Sequence, residues 1–174
     1  MGTDKNPEEE APDEEFQSQD SGASAVYPIE AGCIRKGGLI MIKNRPCKVT
    51  EVTSSKTGKH GHAKCHFVAA DIFTGKKIED LVPASHTTYA PFVKKTEYQC
   101  LDVDEDGFLS LMDAGGEQRE DIKTPDLMAA PLHPDAAALA KRIRDFLGED
   151  KDFFVVLQSA CGHEQIMDTK VMTA

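Results

Sequence analysis

Residues 38–82 are a series of short β-branched runs broken by turn residues, and this patterning limits the fold more than any other feature of the chain. Gly38-Leu39-Ile40-Met41-Ile42-Lys43 is a strand candidate, and Asn44-Arg45-Pro46 reads as the turn after it. Cys47 to Thr53 alternates, with β-branched Val49, Thr50, Val52 and Thr53. Ala63 to Phe73 is a longer run, Thr74-Gly75-Lys76-Lys77 turns again, and Ile78 to Val82 makes another strand. A helical period is absent here, so the pattern predicts a small β-barrel or roll.

The second half differs by one element. Pro83–Pro91 (PASHTTYAP) reads as a connector. Strands are expected over Phe92–Val103, Phe108–Met112 and Gln118–Ile122. A helix then opens at Pro134 and Asp135, positions suited to proline and acids. Ala136, Leu139, Ala140, Ile143, Phe146 and Leu147 recur at helical spacing on one face. Lys141, Arg142 and Arg144 follow where a helix dipole favours cations, and Gly148 is placed to cap the end. Strand runs Phe153–Leu157 and Gln165–Met172 close the chain. Three strands, a helix and two strands are the order of an OB-fold. The expected class is therefore mainly β, a barrel followed by an OB-fold with one helix. Its divisions are a tail over 1–24, a first domain over 25–90 and a second over 91–174.

The first 24 residues are mainly Glu, Asp, Pro, Ser, Gln and Gly with one phenylalanine, too little apolar surface to offset the entropy of ordering. A disordered tail is expected, with order beginning near Val26-Tyr27-Pro28-Ile29. No signal or transit pattern and no apolar run of spanning length is present, and the five cysteines are odd in number and never spaced CxxC. These features favour reduced thiols, no membrane partner and a cytoplasmic location, with the nucleus left open.

Charge is strongly segregated. The chain carries a net −10 over 174 residues. Residues 1–20 hold eight acids and one lysine, a net of −7. Residues 21–90 hold ten Lys/Arg against five acids, a net of +5. Residues 91–174 hold nine against 17, a net of −8. A basic module between acidic ends suits a polyanion met by one face.

That basic module peaks in Lys56-Thr57-Gly58-Lys59-His60-Gly61-His62-Ala63-Lys64, between two strand runs. Gly58 and Gly61 supply the backbone freedom of a hairpin tip and bracket Lys59. No acid lies between Glu51 and Asp71 to neutralise the lysines. A phosphate-binding P-loop fails, because Thr53 stands where its first glycine belongs and His60 where Ser or Thr should bind magnesium. A zinc site from His60, His62, Cys65 and His66 matches no standard spacing, and the lysines disfavour a cation. A Cys65–His66 nucleophile pair fails because adjacent strand residues face opposite ways. A cationic finger for RNA phosphates fits the charge segregation, with Lys56, Lys59 and Lys64 as cations and His60 and His62 able to stack or donate. A solvated lysine-rich turn is the plainer alternative.

In the second half, Asp102-x-Asp104-x-Asp106-Gly107 with Asp113 at the twelfth position matches the opening of an EF-hand calcium loop. The flanks read as strands, whereas an EF-hand needs helices, and the twelfth residue is usually Glu. A hairpin turn at Asp106-Gly107 is the expectation.

SSKTGKHGHAKCHF followed by DIFTGKKIEDLVPASH strongly resembles the hypusine-containing eukaryotic translation factor 5A family, related to an archaeal factor and to the bacterial proline-stall elongation factor. GFLSLMD and EQREDIK resemble the family's C-terminal domain, so the resemblance runs from about Gly22 to the C-terminus. It implies an SH3-like barrel followed by an OB-fold, no enzymatic activity, no metal and no cofactor. It also implies that Lys59 becomes hypusine. Deoxyhypusine synthase would add an aminobutyl group from spermidine and deoxyhypusine hydroxylase an oxygen. Lys56, Thr57, Gly58, His60, Gly61, His62 and Lys64 would then be the tRNA-facing set. The implied partners are the ribosome, on the large subunit near the exit site, and the acceptor end of peptidyl-tRNA. The implied function is help with peptide-bond formation at stalled sites, notably proline runs, and with termination. A generic OB-type single-stranded RNA-binding protein is the alternative.

Overall fold

A computed structural model describes residues 25–56, 63–128 and 132–172, and the tail over 1–24 lies outside them. The chain forms two compact units. The first runs to Ile72 and takes in Lys76–Phe92 and Ala160–Gly162; the second comprises Phe73–Gly75, Val93–Ser159 and His163–Ala174.

The first unit contains β1 (Val26–Glu30), β2 (Leu39–Ile42), β3 (Arg45–Lys56), β4 (Ala63–Asp71), β5 (Lys77–Pro83) and β6 (Thr87–Pro91). β2, β3, β4 and β5 form an antiparallel sheet in that order, and β1 pairs with β6 in a separate ribbon. This is the expected SH3-like barrel, with two corrections. The segment 83–91 is no mere connector, because Thr87 to Pro91 forms β6 against β1. Its β-branched and aromatic residues fit an extended ribbon, and Pro91 sits at the ribbon's end, where a missing N–H costs least.

The turn after β2 also moves. It is Lys43-Asn44, both at positive φ (50° and 62°), with Ile42 opposite Arg45. Two left-handed residues make the primed turn whose twist matches a hairpin. Arg45 and Pro46 already belong to β3.

β4 alternates strictly. Cys65, Phe67, Ala69 and Asp71 point inward and Lys64, His66, Val68 and Ala70 outward or partly so. β3 reaches the same result through a bulge at Thr50, where the register passes from Val49↔Ala69 to Glu51↔Val68. The extra residue returns Val52 to the apolar face, beside Cys47 and Val49. The core they join is Ala31, Ile34, Ile40, Ile42, Cys65, Phe67 and Ala69.

The second unit holds β7 (Lys94–Val103), β8 (Leu109–Met112), β9 (Gln118–Arg119), α1 (Ala136–Gly148), β10 (Phe153–Ala160) and β11 (His163–Val171). Its sheet order, β11-β10-β7-β8-β9, is that of an OB-fold. β9 is shorter than the predicted Gln118–Ile122, because only Gln118 and Arg119 pair with β8. β10 extends past Leu157 to Ala160 through a positive-φ turn at Cys161-Gly162.

The helix buries Ala136, Leu139, Ala140 and Ile143, with Phe146 and Leu147 partly buried against Phe153 and its neighbours. That is the predicted face. The predicted end differs. Gly148 is the last helical residue, and the Glu149 N–H donates to the Asp145 carbonyl. The basic residues lie short of the last turn and act through partners instead: Lys141 with Asp145 (2.9 Å), Arg144 with Asp126 (3.4 Å) and Arg142 with Asp168 (3.8 Å).

Candidate functional site: the β3–β4 hairpin

The cationic stretch is carried by the longest pairing in the first unit. β3 and β4 pair from Cys47↔Asp71 to Lys56↔Ala63. The far end is pinned by Arg45, whose Nε donates to Asp71 Oδ2 at 2.5 Å, with Asp71 3% exposed. Along β4, β5 keeps pairing up to Lys64↔Pro83, and the Ala84 N–H donates to the Ala63 carbonyl at 2.8 Å. β3 is supported differently. β2 pairs only with Arg45–Lys48, and Gly37 and Gly38 continue the contact to Val49. From Glu51 to Lys56, no described strand pairs with the side of β3 that faces away from β4. Six such residues extend about 20 Å.

The register assigns faces to the two described lysines. Ser55 lies opposite Lys64 and Lys56 opposite Ala63, so Lys56 and Lys64 project from opposite faces of the same neck. Both are exposed. Among the described residues, neither has an ion-pair partner. The neck therefore delivers positive charge on both sides of the segment it carries. Thr57, Gly58, Lys59, His60, Gly61 and His62, which join Lys56 to Ala63, lie outside the described residues.

Pairing adds two residues that the sequence did not single out for this role. Ser55 and His66 join Lys64 on one face, in the cross-strand rows Ser55–Lys64–Pro83 and Thr53–His66–Leu81. His66 Nε2 lies 3.8 Å from Glu79 Oε1, a carboxylate brought in by β5. Nothing in the linear spacing of residues 51–71 signals that neighbour.

Cys65 is buried in the core while His66 faces out, which rules out a nucleophile–base contact between them. Among the described residues no three His, Cys, Asp or Glu side chains cluster as a metal site. The burial of Cys47, with Asp71 adding to it, pushes its thiol up to about 12, so it is inert at neutral pH.

The calcium-like segment is a hairpin turn between β7 and β8. One oxygen of Asp104, Oδ1, accepts the N–H groups of Asp106 (2.9 Å) and Phe108 (2.8 Å), and Gly107 takes φ +90°. Asp113 repeats the device between β8 and β9. Its Oδ1 accepts from Gly115 and Glu117, both at 2.9 Å, and Gly116 takes φ +86°. Two of the would-be calcium ligands thus hold backbone turns.

Residues 24–86 match the family described as "Translation initiation factor 5A-like, N-terminal", and residues 92–170 match "Eukaryotic elongation factor 5A hypusine, DNA-binding OB fold". The chain is 53% identical over 156 residues to eukaryotic translation initiation factor 5A-1 of Solanum lycopersicum, covering 89% of this chain and 92% of that protein. It is 52% identical over 151 residues to the Arabidopsis thaliana factor 5A-1, covering 87% and 90%. Among solved structures, a translation initiation factor eif-5a family protein from Naegleria fowleri superposes with a TM-score of 0.77 at 44% identity, over 84% of this chain and 99% of the other. The factor 5A of Methanococcus jannaschii shares the fold, with a TM-score of 0.58 at 24% identity over 85% and 96%. With both halves matched and more than half of the aligned residues identical to the tomato factor, this chain belongs to the eukaryotic translation initiation factor 5A family, whose members are translation factors and not enzymes.

Proposed function

We propose that Lys59 carries hypusine and that this side chain assists the ribosome at slow peptide bonds, notably within proline runs, and at termination. The observation that carries the reading is the neck itself: a long hairpin, tied down at Asp71 and Ala63, bearing exposed lysines on both faces next to the segment that contains Lys59. Deoxyhypusine synthase would supply the aminobutyl group from spermidine, and deoxyhypusine hydroxylase the oxygen. The modified side chain has roughly twice the reach of lysine and two amines, enough to bridge RNA phosphates in a cleft too narrow for backbone. The protein would sit on the large subunit near the exit site, with Lys59 directed at the acceptor end of peptidyl-tRNA. Lys56, Lys64 and, between them in sequence, Thr57, Gly58, His60, Gly61 and His62 would contact RNA around it. The work done there is positional: the ribosome's reacting groups spend more time in a productive geometry. The working compartment is the cytoplasm.

Lys59→Arg retains one charge and cannot accept the aminobutyl group. In cells depleted of their own factor, this variant should fail to restore synthesis of a proline-run reporter, while wild-type protein restores it. Full rescue by the arginine variant would instead support simple electrostatic RNA binding.

A further inference from the structure

Tyr27 on β1 and Phe92, the residue after β6, form an exposed pair of aromatic rings. Tyr27 is 38% exposed and Phe92 55%, with ring centroids 4.9 Å apart and planes tilted by 46°. Paired rings left this open present apolar surface with nothing over it among the described residues. The Phe92 N–H donates to the Ala25 carbonyl at 3.0 Å, so the first described residue lies against the pair. The described chain therefore begins beside these rings.

The composition of that tail is selective. In 24 residues it has a single aromatic, Phe16, among acids, prolines and small polar residues. The linker from Phe16 to Ala25 is Gln17-Ser18-Gln19-Asp20-Ser21-Gly22-Ala23-Ser24, all polar or small. Eight such residues can span at most about 27 Å, so covalent geometry leaves Phe16 within reach of the ring pair. An unpaired RNA base fits the pair less well. Stacking platforms for nucleic acid come with cations; β1 and β6 carry no Lys or Arg and one acid, Glu30, and the first cations after Phe92 are Lys94 and Lys95 on β7.

We infer that Phe16 docks on the Tyr27–Phe92 pair, making the tail an intramolecular ligand of the first unit. The acidic run Glu8–Glu15 is then held close to the unit whose sequence is net basic. Resting on the proposed RNA role of that unit, this anchoring gives the tail a function: anionic residues compete with loosely bound RNA phosphates for its lysines.

The test uses the full chain, labelled with ¹⁵N, and two substitutions. Phe16→Ala leaves the ring pair intact and should shift the amide resonances of Tyr27, Ala90 and Phe92 while leaving those of α1 in place. Cleavage by a glutamate-specific protease after Glu14 and Glu15 should accelerate at least threefold in Phe16→Ala, and equally in Phe92→Ser, with α1 resonances again confirming the fold. Unmoved resonances and unchanged cleavage would overturn the inference. So would shifts that disappear on dilution, which would indicate a second copy. Larger shifts at Tyr27 and Phe92 on adding oligouridine to the wild-type protein than Phe16→Ala produces would point to RNA and overturn it too. None of these readouts depends on modification at Lys59, so this inference and the proposed function fail separately.

Discussion

Arg119 on β9 and Glu164 on β11 join the two outermost strands of the OB sheet by a bidentate pair, Nη1 to Oε2 at 3.0 Å and Nη2 to Oε1 at 2.9 Å. β9 contributes two residues to the sheet, so its backbone ladder alone holds it weakly. The clamp compensates by closing the sheet edge to edge, and Asp121 steadies the same guanidinium through Nε (2.8 Å) and Nη2 (2.7 Å). Arg119→Met should cost the second unit about 1–2 kcal/mol in urea unfolding, since the pair is partly buried and bidentate. Acid should act through Asp121. Its carboxyl is held below the ordinary value of 3.8, chiefly by the hydrogen bond from Arg119. A lowered folded pKa contributes stability that is complete above the unfolded value and lost as pH falls through the folded one. Asp121→Asn should therefore flatten the stability profile below about pH 4.

The paired Asp–Gly turns permit an internal comparison. Gly107 and Gly116 share a conformation, φ +90° and +86°, but not surroundings. A Cβ on Gly107 would stand 2.4 Å from Leu127 Cδ1, whereas one on Gly116 meets nothing within 4 Å. Gly116→Ala should cost about 1–2 kcal/mol from backbone strain alone. Gly107→Ala should cost about the same, because Leu127 Cδ1 is the far end of a side chain 47% exposed and free to rotate away. A markedly lower midpoint for Gly107→Ala in thermal or urea unfolding would mean that Leu127 is held in place.

Each core contains a thiol that resists ionisation. Burial first, and then Asp71 for Cys47 and Asp102 for Cys100, push both up to about 12 from 9.0. The unfolded chain releases these protons near pH 9 and the folded units do not, so stability falls as pH rises above 9. The loss should be about 1 kcal/mol per unit between pH 9 and 10. Cys47→Ala should remove that slope from the first unit and leave it in the second. An unchanged slope would contradict the assignment.

Much of the architecture was legible because apolar periodicity and burial share a cause. The α1 face of Ala136, Leu139, Ala140 and Ile143 is an example, as is the opposition of Cys65 and His66. Proline is the less legible signal, because it marks a strand's edge as readily as a turn. Pro46 lies inside β3, one residue beyond the last β3–β4 pair, and Pro91 ends β6, places where a missing N–H is tolerated. The Cys161-Gly162 turn carries little sequence signal, because its first residue is neither Asn nor Asp. In the candidate site, the lysines could be read directly, but their opposite faces follow from a register set at the Thr50 bulge. Only pairing could place Glu79 near His66.

Peptide mass spectrometry across residues 54–67 of protein from its native source tests the proposed modification of Lys59 most directly. The prediction is a mass added at Lys59 equal to an aminobutyl group plus one oxygen. The aminobutyl group alone would retain the role and remove the hydroxylation step. An unmodified Lys59 throughout would contradict the central claim and leave the hairpin as a plain cationic contact.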